Sequence, residues 1–472
     1  MKNSLAFLVV CFCSGIVFAY LFRINFWLVY FLGFIVVAIS IKLGNGSIFP
    51  LFRSSSKNRT ASLVLLFISV FILGALHFKN SCVVSKSCVS RFIYYKDDTI
   101  YTLKGFINNN PVIKDSRVIF ILKAEELEFN KSRYKSCGDI LVYFNGAIDL
   151  SYGDELILLG NIHRPYKMFR DDISAVMHLQ NNSALVRLNK NKGSLIKRLA
   201  FYLKDKIEVV FLKRLSPLAA GIVDAMVLGE KKHISPVVYD AMIKSGTVHI
   251  LVVSGFNVGI VAFMSGLFFK ILRIPRKPRY ILVIVCLILY CFITGVSTPV
   301  VRATVMGIFF ILGYFFQREP DISNSLSLAV LFILINNPKD IFSISFQLSF
   351  ISVLAIVYLY PKFKSLFRIE EVKIKFLKFI LEGFSVSFSA WLGTVGFIAY
   401  YFKIISPVTV LANIFIVPMA TLITLSGLSM VIISMVLPWL AGPFASTNEI
   451  LVITLLQANS WFINLPFAYL YL

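Results

Sequence analysis

Apolar runs close to the ~20 residues that a helix needs to cross a bilayer core recur along the chain. They cover residues 5–22, 26–41 and 62–78, and then 246–269, 280–295, 300–316, 323–336, 341–360 and 379–402. A longer stretch at 404–437 is interrupted by Pro407 and Pro418 and reads as one kinked span or two; a last run covers 448–465. The pattern predicts a polytopic α-helical membrane protein with about ten or eleven transmembrane helices.

Between the third and fourth runs the pattern changes to short strand-like segments. These are Ile100–Ile107, Val118–Leu122, Asp139–Phe144, Glu155–Leu159 and Ser183–Leu188, separated by turn signals at Asn108-Asn109-Asn110-Pro111, Asn145-Gly146 and Tyr152-Gly153-Asp154. Five short strands predict an inserted β-barrel of the OB-like type, with an SH3-like barrel or a small sandwich as alternatives. From 195 to 214, Leu195, Leu199, Tyr202, Leu203, Ile207, Val210 and Phe211 recur at helical spacing, which suits a helix lying on membrane lipids in the interface plane. Residues 218–232 and 235–244 are too short and polar to cross alone. Asp224, Glu230, Asp240 and Lys244 are costly against lipid and are expected in a cavity or the headgroup zone. Four regions follow: N-terminal transmembrane helices (1–78), the OB-like domain (79–194), interfacial helices (195–245) and a transmembrane channel-like region (246–472).

Composition agrees, with 58% hydrophobic residues against 15% charged and a mean hydropathy of +0.80. Lys2 ahead of an apolar run is signal-like, but no small-x-small cleavage site precedes Arg23 and another run follows, so an uncleaved first span is expected. The formal charge of +23 is explained mostly by loops. With the amino terminus inside, Lys42, Arg53, Lys57 and Arg59, the five basic residues of 270–279, and the six of 362–378 all fall on the cytoplasmic side. The short outside loops hold little beyond Arg23, Lys339 and Lys403. Residues 79–200 are then extracytoplasmic, with 19 basic and 12 acidic residues. Cys82, Cys88 and Cys137 lie there, where an oxidising compartment permits a disulfide whose pairing the spacing leaves open. The other four cysteines sit in spans as small apolar residues.

No phosphate-binding GxxxxGK[ST] loop is present, so ATP hydrolysis is not expected. The five histidines are scattered, no Cys or His cluster has metal-ligand spacing, and neither a metal nor a cofactor is expected. Polar groups instead enter three spans. His249, Ser254 and Asn257 stand in the first, and on a continuous helix His249 and Asn257 share a face, as pore lining would require. Gly255-x-x-x-Gly259 offers helix packing as the other reading. A Ser254–His249 nucleophile pair lacks both an orienting acid and a GxSxG elbow. Arg302 opens an apolar run, where a guanidinium either snorkels or meets an acid or an anion, phosphate matching its fork. Gln347 enters a third span beside Ser343, Ser345 and Ser349.

These residues resemble the ComEC family of DNA-uptake proteins. The likeness rests on His249–Gly259 with Val252-Val253-Ser254-Gly255, on Thr294 to Arg302-Ala303, on Asn324–Pro338 and on Ser345-Phe346-Gln347-Leu348-Ser349-Phe350. It implies passage of single-stranded DNA across the bacterial cytoplasmic membrane through a pore, with His249, Ser254, Gly255, Asn257, Arg302 and Gln347 near the path. It implies as partners an extracytoplasmic DNA receptor, a cytoplasmic ATP-driven translocase and a separate nuclease. Phe106, Phe120, Phe129, Tyr143 and Phe144 are then candidates for stacking bases on the outside domain. Two departures matter. Many members have histidine where Asn257 stands, and many carry a metallo-β-lactamase-like domain whose HxHxDH cluster these residues lack, so nuclease activity is not expected. The competing class is a transporter or scaffold for another anionic or lipid-linked substrate.

Overall fold

A computed structural model of the chain describes residues 4–22, 30–31, 59–83, 88–93, 100–114, 117–129, 132–146, 148, 150–165, 173–179, 184–189, 192–317 and 321–472. The predicted span at 26–41, apart from two helical residues, and Arg23, Lys42, Arg53 and Lys57 lie outside these residues. Two compact units are present: Met1–Ser81 with Lys204–Leu472, and Cys82–Leu203.

The smaller unit is a sheet of β1 (Tyr101–Ile107), β2 (Val112–Lys114), β3 (Arg117–Phe129), β4 (Ser132–Lys135), β5 (Asp139–Phe144), β6 (Glu155–Gly160), β7 (Ile162–His163), β8 (Ile173–Leu179) and β9 (Leu185–Asn189). Its order is β7-β8-β5-β3-β1-β6-β9, with β2 and β4 also on β3. Alternation builds the core: Tyr101, Leu103 and Ile107 of β1 point inward, and Phe120, Leu122 and Leu127 of β3 meet them. The register shifts at Lys104/Gly105, where a Cβ on residue 105 would strike the Lys123 carbonyl, so glycine is what allows the bulge. The five predicted strands correspond to β1, β3, β5, β6 and β9. The other four carry no alternation to read. β4 is exposed throughout, β2 and β7 are too short, and β8 buries Ala175, Val176 and Met177 in succession beside its parallel partner β5.

Two buried acids of β6 and its preceding turn tie the sheet together. Arg187 of β9 reaches Asp154 at 3.0 Å, and Lys192 reaches Glu155 at 2.9 Å, with Lys104 3.6 Å away. The Lys192 hydrogen bond holds the Glu155 carboxyl below its ordinary range, and bonds to Glu125 and Glu155 raise the Lys192 ammonium.

The larger unit is helical. α1 (Ser4–Leu21) pairs with α2 (Arg59–Ser81), and a Cβ at Gly15 or Gly74 would collide with the backbone of Phe71 or Phe12, so these glycines set the close approach. Next come α3 (Leu195–Arg214), α4 (Pro217–Leu228), α5 (Pro236–Lys244), α6 (Gly255–Ile271), α7 (Arg276–Ile293), α8 (Thr298–Phe315) and α9 (Ile322–Asn336). The chain ends with α10 (Ile344–Leu366), α11 (Lys375–Phe402), α12 (Thr409–Val436) and α13 (Ala441–Ile463). α3 has the bounds of the predicted interfacial helix. Within the 404–437 stretch, Ile404–Ile405 form a short strand paired with Leu470–Tyr471, and α12 then runs as one helix through Pro418.

Among the described residues six helical segments are long and apolar enough to cross a membrane: Leu63–Ser81, Thr298–Phe315, Ile344–Leu366, Lys375–Phe402, Thr409–Val436 and Pro438–Ile463. Leu5–Leu21, Pro217–Leu228, Gly255–Ile271 and Ile322–Asn336 are shorter apolar helices. The predicted span at 246–269 is not one helix. Gly246 takes φ +73°, Val248–Leu251 form a 3-10 turn, Val252 is extended, and α6 starts only at Gly255. Apolar clusters join α1, α2, α8, α9 and α10 around Ile16, Phe78, Leu326 and Phe350, and α6, α7 and α8 around Val258, Leu287 and Val300.

Candidate anion site and nucleic-acid surface

The break before α6 is held from both sides. Thr409 donates to the Ser245 carbonyl at 3.0 Å, Ser245 and Thr247 hydroxyls lie 2.7 Å apart, and Thr247 donates to Asn459 Oδ1 at 3.0 Å. Ser254 is thereby the N-cap of α6, with extended φ and ψ of −97° and 167°, and its side chain makes no capping bond. Asn257 N–H donates to the Ser254 carbonyl, but the N–H groups ahead of it have no partner within the helix, so the helix start is electropositive.

Arg302, in the second turn of α8, is brought to this place. Its residue is 8% exposed, its Nη1 has no acceptor, and among the described residues no carboxylate lies within ion-pair distance. The guanidinium lies 5.3 Å from the ring centroid of Phe350 on α10. A Cβ built on Gly255 would sit 3.8 Å from Arg302 Nη2 and 3.2 Å from Ala303 Cβ, so the missing side chain lets the α6 start approach α8. Gly259 has open space beside it, so the small-residue contact belongs to Gly255 alone of that pair. A buried guanidinium with an open donor beside a helix N-terminus is an arrangement for an anion.

Other predicted residues are placed differently. Asn257 is buried and donates from Nδ2 to the Met226 carbonyl at 2.8 Å, while Tyr290 donates to the Val227 carbonyl at 2.9 Å; both satisfy the end of α4. His249 is exposed, and its Nδ1 lies 3.0 Å from the Gly246 carbonyl. It precedes α6 and so does not share a helix face with Asn257, because the chain between them is not helical. Gln347 donates to the Ile341 carbonyl at 3.1 Å and accepts from Tyr401 at 3.1 Å, holding α10 to α11. Phe350 closes the Ser345–Phe350 motif, but the sequence assigns it no role. It is one of 45 phenylalanines, and its place under a guanidinium is what ties it to the site.

In the smaller unit two of the five stacking candidates are corrected. Phe120 and Phe144 are wholly buried in the core, so neither offers a ring face to a base. Phe129 packs on Tyr101 with centroids 5.2 Å apart. Phe106 and Tyr143 instead stand on the outer face, half-buried. Strand register places Phe106 opposite Lys123, whose Nζ is 6.0 Å from the ring, and Tyr143 opposite His178, stacked at 4.9 Å and 10°. His163 lies 6.4 Å from His178. Burial, then the neighbouring His163 and Arg117 charges, hold the His178 imidazole below its ordinary value. Aromatic faces interleaved with cations on one sheet surface suit a single strand of nucleic acid.

Cys88 and Cys137 are partners in a parallel β-bridge, and Val89 N–H donates to the Cys137 carbonyl at 3.0 Å. Burial pushes the Cys88 thiol up, but hydrogen bonds with Ser90 and Ser174 and the Arg91 charge leave it below its ordinary value. Cys82 is exposed, outside this bridge.

No solved structure matches the chain. ComE operon protein 3 of Bacillus subtilis (strain 168) is 26% identical over 378 residues, which cover 79% of this chain and 46% of that relative. The chain thus spans less than half the length of the curated relative it matches. The family described as Competence protein matches residues 226–472, from the end of α4 through the α6–α8–α10 site to the last residue. That match takes in more than half of the sequence, and the chain belongs to the competence protein family.

Proposed function

We propose that this protein carries single-stranded DNA across the bacterial cytoplasmic membrane during DNA uptake. The observation that carries the reading is Arg302, buried with an open guanidinium nitrogen beside the N-terminus of α6. A phosphate oxygen would accept from both donors, and one fixed cation holds a polyanion weakly enough to release it. Membership of the competence protein family and the relative's match support the same role.

In this reading the 82–203 unit, an OB-like barrel in outline, faces the extracytoplasmic side. It receives the strand on Phe106, Lys123, Tyr143, His163 and His178, while phosphate contacts supply most of the affinity. The shorter apolar helices α1, α6 and α9 and the 280–295 run of α7 are embedded with the six longer ones, giving ten elements in the bilayer around the broken backbone at 246–254, while α4 lies in the headgroup zone or against a cavity. Basic residues of 270–279 and 362–378 face the cytoplasm with the amino terminus. Cys88 and Cys137 are free thiols in this structure, and their adjacent backbone favours this pair for a disulfide in an oxidising compartment. Energy comes from partners: a DNA receptor outside, an ATP-driven translocase inside and a separate nuclease.

Uptake of labelled DNA by cells with the wild-type chain, the Arg302→Ala chain and no chain tests the proposal. Loss of uptake without the chain, and at least a tenfold fall for Arg302→Ala at equal membrane abundance, are expected. Undiminished uptake in cells lacking the chain sinks the assignment and leaves the transporter or scaffold class.

A further inference from the structure

Glu208 of α3, Asp224 of α4 and His233, in the turn before α5, converge although 16 and 9 positions separate them in sequence. One ligand-capable atom from each lies within 4.8 Å of the others. His233 Nε2 is 3.0 Å from Glu208 Oε1. Asp224 is 1% exposed, and neither of its carboxylate oxygens has a hydrogen-bond partner.

A buried carboxylate with both oxygens unsatisfied is costly unless something positive or a proton meets it. The surrounding charges do not supply a direct partner. Lys232 is committed to Glu208 at 2.7 Å, and Lys204 to Glu230, so three carboxylates face two ammonium groups. The convergence is also built into the backbone. Gly221, one turn before Asp224, admits the chain of the turn, since a Cβ there would come within 2.6 Å of the His233 carbonyl oxygen and 3.3 Å of its Cβ. An open cleft of about 290 Å³, lined by Ile222, Lys232, His233 and Ser235 among others, reaches the histidine from solvent.

We propose that Glu208, Asp224 and His233 bind one divalent transition-metal ion, of which zinc is the best match. One imidazole and two carboxylates form a mixed nitrogen and oxygen set that favours zinc or manganese over calcium or magnesium, and zinc over manganese by intrinsic affinity. Of the three side chains only His233 lines the cleft, and water entering along it would supply the remaining ligand. His233 Nε2 carries the proton of its bond to Glu208, so binding requires the imidazole to lose that proton or to hold its one proton on Nδ1, freeing the Nε2 lone pair for the ion, while the Lys232 bond orients the Glu208 carboxylate. The ion would clasp α3, α4 and the turn before α5, and this role is independent of any DNA reading.

The test uses the full chain purified in detergent without a histidine tag, stripped with chelator and titrated with zinc chloride by calorimetry. Cobalt chloride provides a visible-absorption readout of the ligand set. One zinc per wild-type chain is expected, with at least about tenfold weaker binding and loss of the cobalt bands in Asp224→Asn and in His233→Gln. Zinc should also raise the melting temperature of wild type and leave that of Asp224→Asn unmoved. Variants are compared only where they elute as a single species with wild-type helix content, and two chemically different substitutions guard against misfolding of either. Absence of stoichiometric zinc in wild type, or wild-type affinity retained by both variants, overturns the site and leaves Asp224 as a buried core group without a metal.

Discussion

Arg302 is a buried charge whose Nη1 has no acceptor, and such a group is ordinarily a cost to the fold. If its purpose is to meet a passing anion, an apolar replacement should relieve the fold and damage function at once. Arg302→Met is expected to melt at or above the wild-type temperature in detergent while DNA uptake falls at least tenfold; a variant that melts lower marks the guanidinium as structural. Asn257 predicts the reverse. Its amide fills the Met226 carbonyl at the end of α4, so Asn257→Ala should cost about 1–2 kcal/mol, and uptake should fall only in step with the folded protein recovered from membranes. A deeper loss of uptake would return Asn257 to the path.

At the scale of elements, the outer sheet depends on ion pairs that have a pH signature. Glu155 has its folded pKa depressed by the Lys192 bond, so its stabilisation is fully present above its ordinary value of 4.5 and disappears as pH falls through the lower folded value. Lys192 is raised, so its share is present below 10.5 and is lost as pH rises through the folded value. The sheet should therefore be most stable between these limits. Glu155→Gln should cost about 1–3 kcal/mol at pH 7 and flatten the acid limb of melting temperature against pH, followed by the β-sheet circular dichroism signal. An unchanged acid limb would assign it to other carboxylates.

For the whole molecule, DNA affinity is expected to be electrostatic and additive over phosphates. Replacing Lys123 or Arg117, both exposed on the outer face of β3, should each weaken single-strand binding uniformly across sequences. Each should reduce the slope of log affinity against log salt by about 0.7. Fluorescence anisotropy of a labelled oligonucleotide with the full chain reads that slope, and a slope unaltered in both variants removes this face from the interface.

Much of this protein was legible along the chain because its strongest signals are local. Runs of apolar residues mark helices in lipid wherever the backbone is continuous, and strands with one face buried show their alternation, as β1 and the first half of β3 do. The amphipathic α3 and the chemical oddity of Arg302 in an apolar run were readable for the same reason. Tertiary structure alone decided the rest. Gly246 interrupts a run that hydropathy makes continuous, because hydropathy reports burial and not φ, and the interruption separates His249 from Asn257. Phe120 and Phe106 look alike in sequence, and only strand register turns one into the core and the other outward. Phe350 beneath Arg302, and the meeting of Glu208, Asp224 and His233, join residues from separate elements, and no spacing along one chain encodes a contact made between them.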